Sequence, residues 1–219
     1  MADAHTIPMA DTSDMIRVHR VFREAFAAAA PLIGSTDPSD AERVELVHAY
    51  YFNVLALLHG HHEGEDLLVW PRLLERAPEE AEMVQRIAAQ HGGVLVALET
   101  AEARLAMWKS APTVDHAATL AAALAVLGAE LASHLDEEER MILPLAARCI
   151  TAPEWGELPE HGLKTFTGDK VWLVLGLIRE QMRPEQIEVM DAHMPPPVVD
   201  FWYGVGQGQF DEFVAALRH

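Results

Sequence analysis

The chain has little cysteine, few basic residues and few clusters of β-branched residues. Cys149 is the single cysteine among 219 residues, so an intrachain disulfide is excluded and a reducing cytoplasm is the expected location. Only 16 Lys and Arg oppose 34 Asp and Glu, which gives a formal net charge of -18 at neutral pH. Because this charge repels polyanions and anionic lipid surfaces, we expect no nucleic acid and no membrane as a partner.

Long apolar runs and familiar catalytic motifs are also missing. Residues 1–12 lack the apolar segment of a signal peptide. The longest uncharged apolar run covers residues 117–129, which is shorter than the roughly 20 residues of a membrane-spanning helix. Neither a Ser/His/Asp arrangement nor a Gly-rich phosphate loop is evident. The sequence alone therefore predicts no membrane segment and assigns no hydrolytic or nucleotide-dependent reaction.

What the chain does contain is typical of an all-α protein. Half of the residues are hydrophobic, and Ala and Leu recur at helical spacing. Proline- and glycine-containing breaks divide residues 13–150 into four segments, which predicts an antiparallel up-down four-helix bundle after a flexible N-terminus over residues 1–12. Shorter segments follow over residues 151–219. We interpret them as a C-terminal helical extension that either caps the bundle or forms a homodimer surface.

Two stretches of the bundle sequence repeat one pattern of histidine, acids and proline. They cover residues 61–71 and 134–144, and each begins with histidine and ends with proline. In both, an acid follows the histidine by four residues, so the two side chains lie on one helix face about one turn apart. The pairs are His61 with Glu65, and His134 with Glu138.

A further histidine lies one predicted helix before each pair, at nearly the same distance along the chain. Each half of the bundle thus has a helix with one inward histidine, a break, and a helix with a His/Glu pair. Two such halves packed together bring these side chains to one level of the core. The candidate metal ligands are therefore His19, His61, Glu65, His91, His134 and Glu138.

These carboxylates require either a cation or exposure to solvent. Burial of an unpaired carboxylate costs several kcal/mol or forces it to take up a proton. The alternative is that the helices are rotated to expose Glu65 and Glu138, because the neighbouring positions are also acidic. Imidazole and carboxylate ligands without thiolate suit iron, manganese or zinc, and bridging carboxylates favour a pair of iron ions.

The assignment within the first stretch is open, because other pairs have the same spacing. His59 with Glu63 and His62 with Asp66 are also four residues apart. Alignment of the two stretches on their prolines selects His61, since only this histidine then has a counterpart in the second half. On this basis we interpret His59 and His62 as residues of the outer helix face or of the layer behind the ligands.

A ferritin-like site is a further alternative, and it is disfavoured. Such a site uses two Glu-x-x-His pairs and additional glutamates from the other helices. Glu45-x-x-His48 is the single pair of this kind on a predicted bundle helix.

The two His-x-x-x-Glu pairs and their preceding histidines resemble the hemerythrin-like family, also called the HHE cation-binding domain. The resemblance covers about residues 13–149. It implies a four-helix bundle that holds two non-haem iron ions (Fe²⁺/Fe³⁺), bridged by two carboxylates and an oxo or hydroxo group. The residues that carry the resemblance are His19, His61, Glu65, His91, His134 and Glu138.

The sequence departs from the oxygen-carrying members of this family at two positions. Those members have a second histidine one turn after the third-helix histidine, where this chain has Leu95. They also use a carboxylate five residues after the last histidine, which here is Glu139, so the choice between Glu138 and Glu139 is open. Water, Tyr50 or another side chain could complete the ligand set.

The resemblance implies a protein that binds or reacts with small oxygen or nitrogen species, namely O₂, peroxide or NO, in sensing or stress response. Two alternatives are a redox enzyme of catalase-like type and a protein of iron storage or homeostasis. We prefer the first interpretation, a non-haem di-iron protein that handles small oxygen or nitrogen species.

Overall fold

The computed structural model describes residues 7–219, and these residues are largely helical. Fourteen α-helices are assigned within this range, together with short 3₁₀ or π segments at Pro78–Glu80, Glu138–Ile142 and Trp202–Gly206. The α-helices are α1 (Ser13–Ala27), α2 (Ala29–Gly34), α3 (Ala41–Leu68), α4 (Trp70–Arg76), α5 (Ala81–Ala88), α6 (Gln90–Ser110), α7 (Val114–Glu137), α8 (Leu143–Cys149), α9 (Ala152–Trp155), α10 (Glu157–Thr165), α11 (Val171–Glu180), α12 (Pro184–His193), α13 (Pro196–Phe201) and α14 (Gln207–Arg218).

The four long helices α1, α3, α6 and α7 pack side by side around one apolar core, which confirms the predicted four-helix bundle. Leucines at steps of three and four on α7 are fully buried, as the helical period requires. They lie against aromatic and aliphatic side chains from the other three helices. Among the core residues are Phe22, Leu58, Leu98, Leu124 and Leu127.

Two of the long helices begin at a side chain that caps the first turn. The Asp40 carboxylate accepts a hydrogen bond from the Arg43 backbone N–H at 2.9 Å, and the Thr113 hydroxyl accepts one from that of His116 at 3.1 Å. The start of α1 differs, because Ser13 is already helical and the side chain of Thr12 before it makes no capping bond.

The two prolines of the repeated stretches interrupt the helices that carry the His/Glu pairs. Proline lacks a backbone N–H and clashes with the carbonyl four residues earlier. At Pro71 the helix breaks between α3 and α4. Before Pro144 the chain instead widens into a π turn, in which the Leu143 N–H bonds to the Glu138 carbonyl. This π turn was not predicted from the sequence, and it begins at a candidate ligand.

The C-terminal extension shares its core with the bundle. Leu173, Trp202, Phe210 and Val214 are buried in the same apolar cluster as the bundle helices. Closer to the candidate ligands, α10 packs on α3 at Gly64, where an added Cβ would lie 3.3 Å from Leu158. The extension therefore packs directly on the bundle. Its predicted role as a homodimer surface stays a prediction.

The N-terminal segment meets the start of this extension. The Ala10 N–H donates to the Ile150 carbonyl at 2.9 Å, and the Ala152 N–H donates to the Pro8 carbonyl at 2.8 Å. Of the N-terminus expected to be flexible, residues 1–6 lie outside the described residues. Residues 8–10 are joined to the bundle by these hydrogen bonds.

One continuous helical stretch, Val114–Cys149, is long and apolar enough to cross a membrane by length and composition. Its most apolar 18-residue window has a mean hydropathy of 1.5, and 33% of that window is buried inside the protein. A core helix of a bundle meets the same criterion, and this stretch carries His134 and Glu138. The result differs from the expectation based on the shorter uncharged run, and by itself it is weak evidence for a membrane segment.

Candidate metal centre

The structure brings all six predicted candidate ligands together at one level of the bundle, and it adds His62. They form two groups that share Glu65, and within each group one potential ligand atom per residue lies within 4.8 Å of the others. The first group is His62, Glu65, His91 and His134, and the second is His19, His61, Glu65 and Glu138.

Both glutamates point into the bundle. Glu65 is 0% exposed and Glu138 is 1% exposed, whereas the neighbouring acids Glu63 and Asp66 face solvent. The alternative in which rotated helices expose the two carboxylates is therefore wrong. An oxygen of Glu65 lies 3.4 Å from His61 Nε2, and the other lies 3.3 Å from His91 Nε2. Glu65 thus stands between the two groups, as a bridging ligand would.

The position of His62 corrects the interpretation drawn from the sequence. The alignment on the prolines predicts that His62 lies on the outer helix face or behind the ligands, but His62 is 7% exposed and stacks on His91 with 4.2 Å between ring centroids. At about 100° per residue, Glu65 falls between His61 and His62 on the helix, so consecutive histidines can serve neighbouring groups. The signal in the sequence was the His61-His62 doublet, which the second half lacks because it has Leu135 after His134.

The structure also separates Glu138 from Glu139. Glu138 Oε2 lies 3.5 Å from His19 Nε2 and 3.7 Å from His134 Nε2, within the centre. Glu139 lies on the other side of the His19 ring, where its Oε1 is 2.9 Å from Nδ1. The same oxygen accepts a hydrogen bond from Arg23 at 2.6 Å. Hydrogen bonds from His19 and Arg23 lower the pKa of Glu139 to about 2, so it supports His19 as a carboxylate.

Two further histidines also have a hydrogen-bond acceptor at Nδ1, the ring nitrogen that faces away from the centre. His91 Nδ1 lies 2.7 Å from the Asp66 carboxylate, which also accepts a hydrogen bond from the Trp70 indole N–H. His134 Nδ1 lies 3.1 Å from the side-chain oxygen of Gln90. An acceptor at Nδ1 fixes the proton there and leaves the Nε2 lone pair directed into the centre, the arrangement found around metal-bound histidines.

The donor atoms inside the centre have no partners of their own. The Nε2 atoms of all five histidines, both oxygens of Glu65 and Oε2 of Glu138 are buried without a hydrogen bond. Buried polar atoms are nearly always paired, so a cluster of buried ligand atoms without hydrogen bonds is typical of a cation-binding site. The imidazole and carboxylate set, to which Cys149 does not contribute, fits a divalent transition-metal ion.

Comparison with known families agrees with this geometry. The model of the hemerythrin HHE cation binding domain matches residues 10–146, which is more than half of the chain. The chain belongs to the hemerythrin HHE family. No curated protein and no solved structure gives a significant match. The matched region ends before the C-terminal extension begins, so the extension lies outside what the family model describes.

In this HHE domain the residues considered for completing the ligand set lie outside both groups. Leu95 is 41% exposed and belongs to neither group. Tyr50 is buried in the core against Tyr51, with 5.0 Å between ring centroids. The additional imidazole comes from His62 on α3 instead.

Burial shifts the protonation equilibria of the HHE centre. It raises the pKa of Glu65 to about 8, and burial next to the Glu65 charge raises the pKa of Glu138 well above its usual value. Burial, with a contribution from neighbouring imidazoles, lowers the pKa of His134 to about 3 and the pKa values of His61 and His62 well below the usual value. Without a cation the centre therefore favours neutral imidazoles at His61, His62 and His134 and protonated carboxyls at Glu65 and Glu138.

The metal-free protein is expected to lose stability as the pH rises from 6.5 to 8. In this window an unfolded glutamate, with a pKa of 4.5, has released its proton, but folded Glu65 retains one up to about pH 8. The folded state then binds more protons, so the free energy of unfolding falls by up to about 1.4 kcal/mol per pH unit for each such proton. Urea unfolding of chelator-treated protein across this range measures the slope.

The pH window begins at 6.5 because below this pH the titration of histidine changes the free energy of unfolding in the opposite direction. The pKa of His134 is about 3 when folded and 6.5 when unfolded, so stability rises with pH between these values. Glu65→Gln should reduce the downward slope above pH 6.5. A wild-type protein whose unfolding free energy is constant from pH 6.5 to 8 would contradict the protonated state of the buried carboxyls.

Proposed function

We propose that this protein is a non-haem di-iron protein that binds or reacts with O₂, peroxide or NO. The observation that supports the proposal is the set of buried donor atoms without partners: five imidazole nitrogens and three carboxylate oxygens in two groups that share Glu65. A shared carboxylate holds two cations close together, and its negative charge offsets part of their repulsion.

Iron is the preferred metal because of the balance of donors. The first group offers three imidazoles and one carboxylate, and the second offers two imidazoles and two carboxylates. Two histidines with a carboxylate and open positions are typical of non-haem Fe(II) sites. Iron ions in such positions would supply reversible one-electron chemistry and open sites for a small ligand.

The residues of the chain would orient the metals and limit the access of water. Glu139, Asp66 and Gln90 hold three of the imidazole rings through their Nδ1 atoms. The ring of Phe22 lies 5.4 Å from that of His61, and the ring of Trp70 lies 5.4 Å from that of His91. These apolar rings pack against two of the candidate ligands and would limit the access of bulk water to the centre.

A catalase-like redox enzyme is the second candidate, because the same pair of metals could cycle between oxidation states. Iron storage is a weaker third candidate, since two closely spaced ligand groups hold few ions. We place the protein in the cytoplasm in each case, because a reducing compartment keeps Cys149 free.

The test is the metal content of aerobically purified protein together with its visible spectrum during titration with peroxide and with NO. We expect about two iron ions per chain and an absorption that changes with at least one of these species. Evolution of O₂ from added peroxide would favour the catalase-like candidate. A folded, metal-free protein that does not take up added iron would refute the proposal.

A further inference from the structure

We propose that metal cations enter the centre through the cleft between α6 and α7, next to Gly93. The inference rests on the proposed function, since it concerns how the centre is filled. The cleft has a volume of about 300 Å³ and is lined in part by the polar side chains of Gln90, Glu130, Ser133 and His134. It thus leads from the protein surface to one of the candidate ligands.

The inner end of the cleft is closed by a neutral hydrogen bond. Gln90 meets His134 there, with 3.1 Å between the amide oxygen and Nδ1. A neutral bond of this kind is roughly half as strong as a charge-assisted one. Water or an incoming cation can therefore replace Gln90 beside His134 at a lower cost in free energy than it could replace a carboxylate beside another histidine.

Two other sides of the centre are closed by ion pairs or by helix packing in the part of the chain that the structure describes. His19 is backed by Glu139 and Arg23, which form charge-assisted bonds. On the side of α3, helix α10 packs against Gly64, where an added Cβ would lie 3.3 Å from Leu158. The cleft at Gly93 is a polar opening that reaches a candidate ligand without crossing these contacts.

The charge and donor types of the cleft suit a hydrated divalent cation. Glu130 is exposed at its mouth, and the strong negative charge of the whole chain raises the local concentration of cations. Ser133 and Gln90 then offer oxygen ligands on the way to the imidazole of His134. Hard oxygen donors of this type exchange with the water molecules around such an ion.

The chain offers a matched pair of residues for the test. Gly92 and Gly93 are adjacent in α6, and an added Cβ at either one meets no atom within 4 Å. Only Gly93 lines the cleft. Gly93→Leu should therefore obstruct the route without a clash, whereas Gly92→Leu makes the same chemical change outside it.

The experiment measures uptake of Co²⁺ by the metal-free full-length protein, using stopped-flow absorbance for the rate and mass spectrometry for the final content. We expect Gly93→Leu to slow uptake by about tenfold or more, which is about 1.4 kcal/mol in the barrier, with the final content unchanged. The Gly92→Leu variant should take up Co²⁺ within about twofold of the wild-type rate, because an added Cβ at this position meets only open space.

A second obstruction guards against an unexpected effect of Gly93→Leu on folding. Ser133→Leu fills the same cleft from α7, and Ala125→Leu is its control on an exposed part of that helix. Wild-type uptake rates in both cleft variants would refute the route while leaving the proposed function intact. A wild-type protein that binds neither Co²⁺ nor iron would refute the proposed function and the route with it.

Discussion

Replacement of Glu65 by glutamine is expected to abolish metal binding by both groups while the helical bundle stays folded. Glu65 belongs to both groups, and both of its oxygens are buried without a hydrogen bond. The amide keeps the shape of the side chain but removes the charge and one of the two oxygen ligands. Since second-layer substitutions alone cost 10–100-fold in metal affinity, loss of a shared ligand should cost more than about 100-fold.

The fold should tolerate this change because the metal-free protein already favours an uncharged side chain at this position. Burial raises the pKa of Glu65 to about 8, so near neutral pH the folded protein carries a protonated carboxyl there. The amide resembles that form in size and charge. Thermal unfolding of the metal-free variant should therefore occur at or above the wild-type temperature.

Mass spectrometry after gel filtration measures the bound metal, and Glu63→Gln is the matched control. Glu63 lies two residues earlier on the same helix, faces solvent and pairs with His161. The control should retain the wild-type content. Retention of metal by Glu65→Gln, or equal losses in the two variants, would mean that Glu65 is not the shared ligand.

Most of the centre could be predicted because it depends on local helical geometry. A histidine and a glutamate four residues apart must share a helix face, whatever the rest of the chain does. Two such pairs on apolar helices can only be buried by turning toward one another. This reasoning selects His61 with Glu65 and His134 with Glu138, and the structure brings both pairs together.

The parts that sequence reasoning missed depend on contacts between distant segments or on a departure from symmetry. The packing of α10 on Gly64 joins residues about a hundred positions apart, and no spacing in the chain announces it. The helix forms a π turn at Glu138 before Pro144, whereas near Pro71 the helix is interrupted between α3 and α4, and the sequence does not predict this difference. His62 was missed because alignment of the two halves assumes that they are equivalent. The first half of the bundle in fact supplies one more imidazole to the two groups than the second half does.

Replacement of His62 by leucine is accordingly expected to lower the metal content from about two ions per chain to about one. Position 62 of the first half is equivalent to position 135 of the second half, which is already leucine. The core should therefore accept the volume of a leucine side chain at position 62. The first group would keep His91, His134 and the shared Glu65, while the second group would keep all four of its members. The ion in the first group should therefore be lost selectively.

His59→Leu distinguishes this role from a general effect of removing an imidazole from α3. His59 lies three residues earlier on the same helix and is exposed, so its replacement should leave the metal content unchanged. If His62→Leu also retained two ions, the alignment on the prolines would be right about the ligands, and His62 would only pack against His91. If it lost both, the two ions would bind cooperatively, and the two groups would not be separable by this substitution.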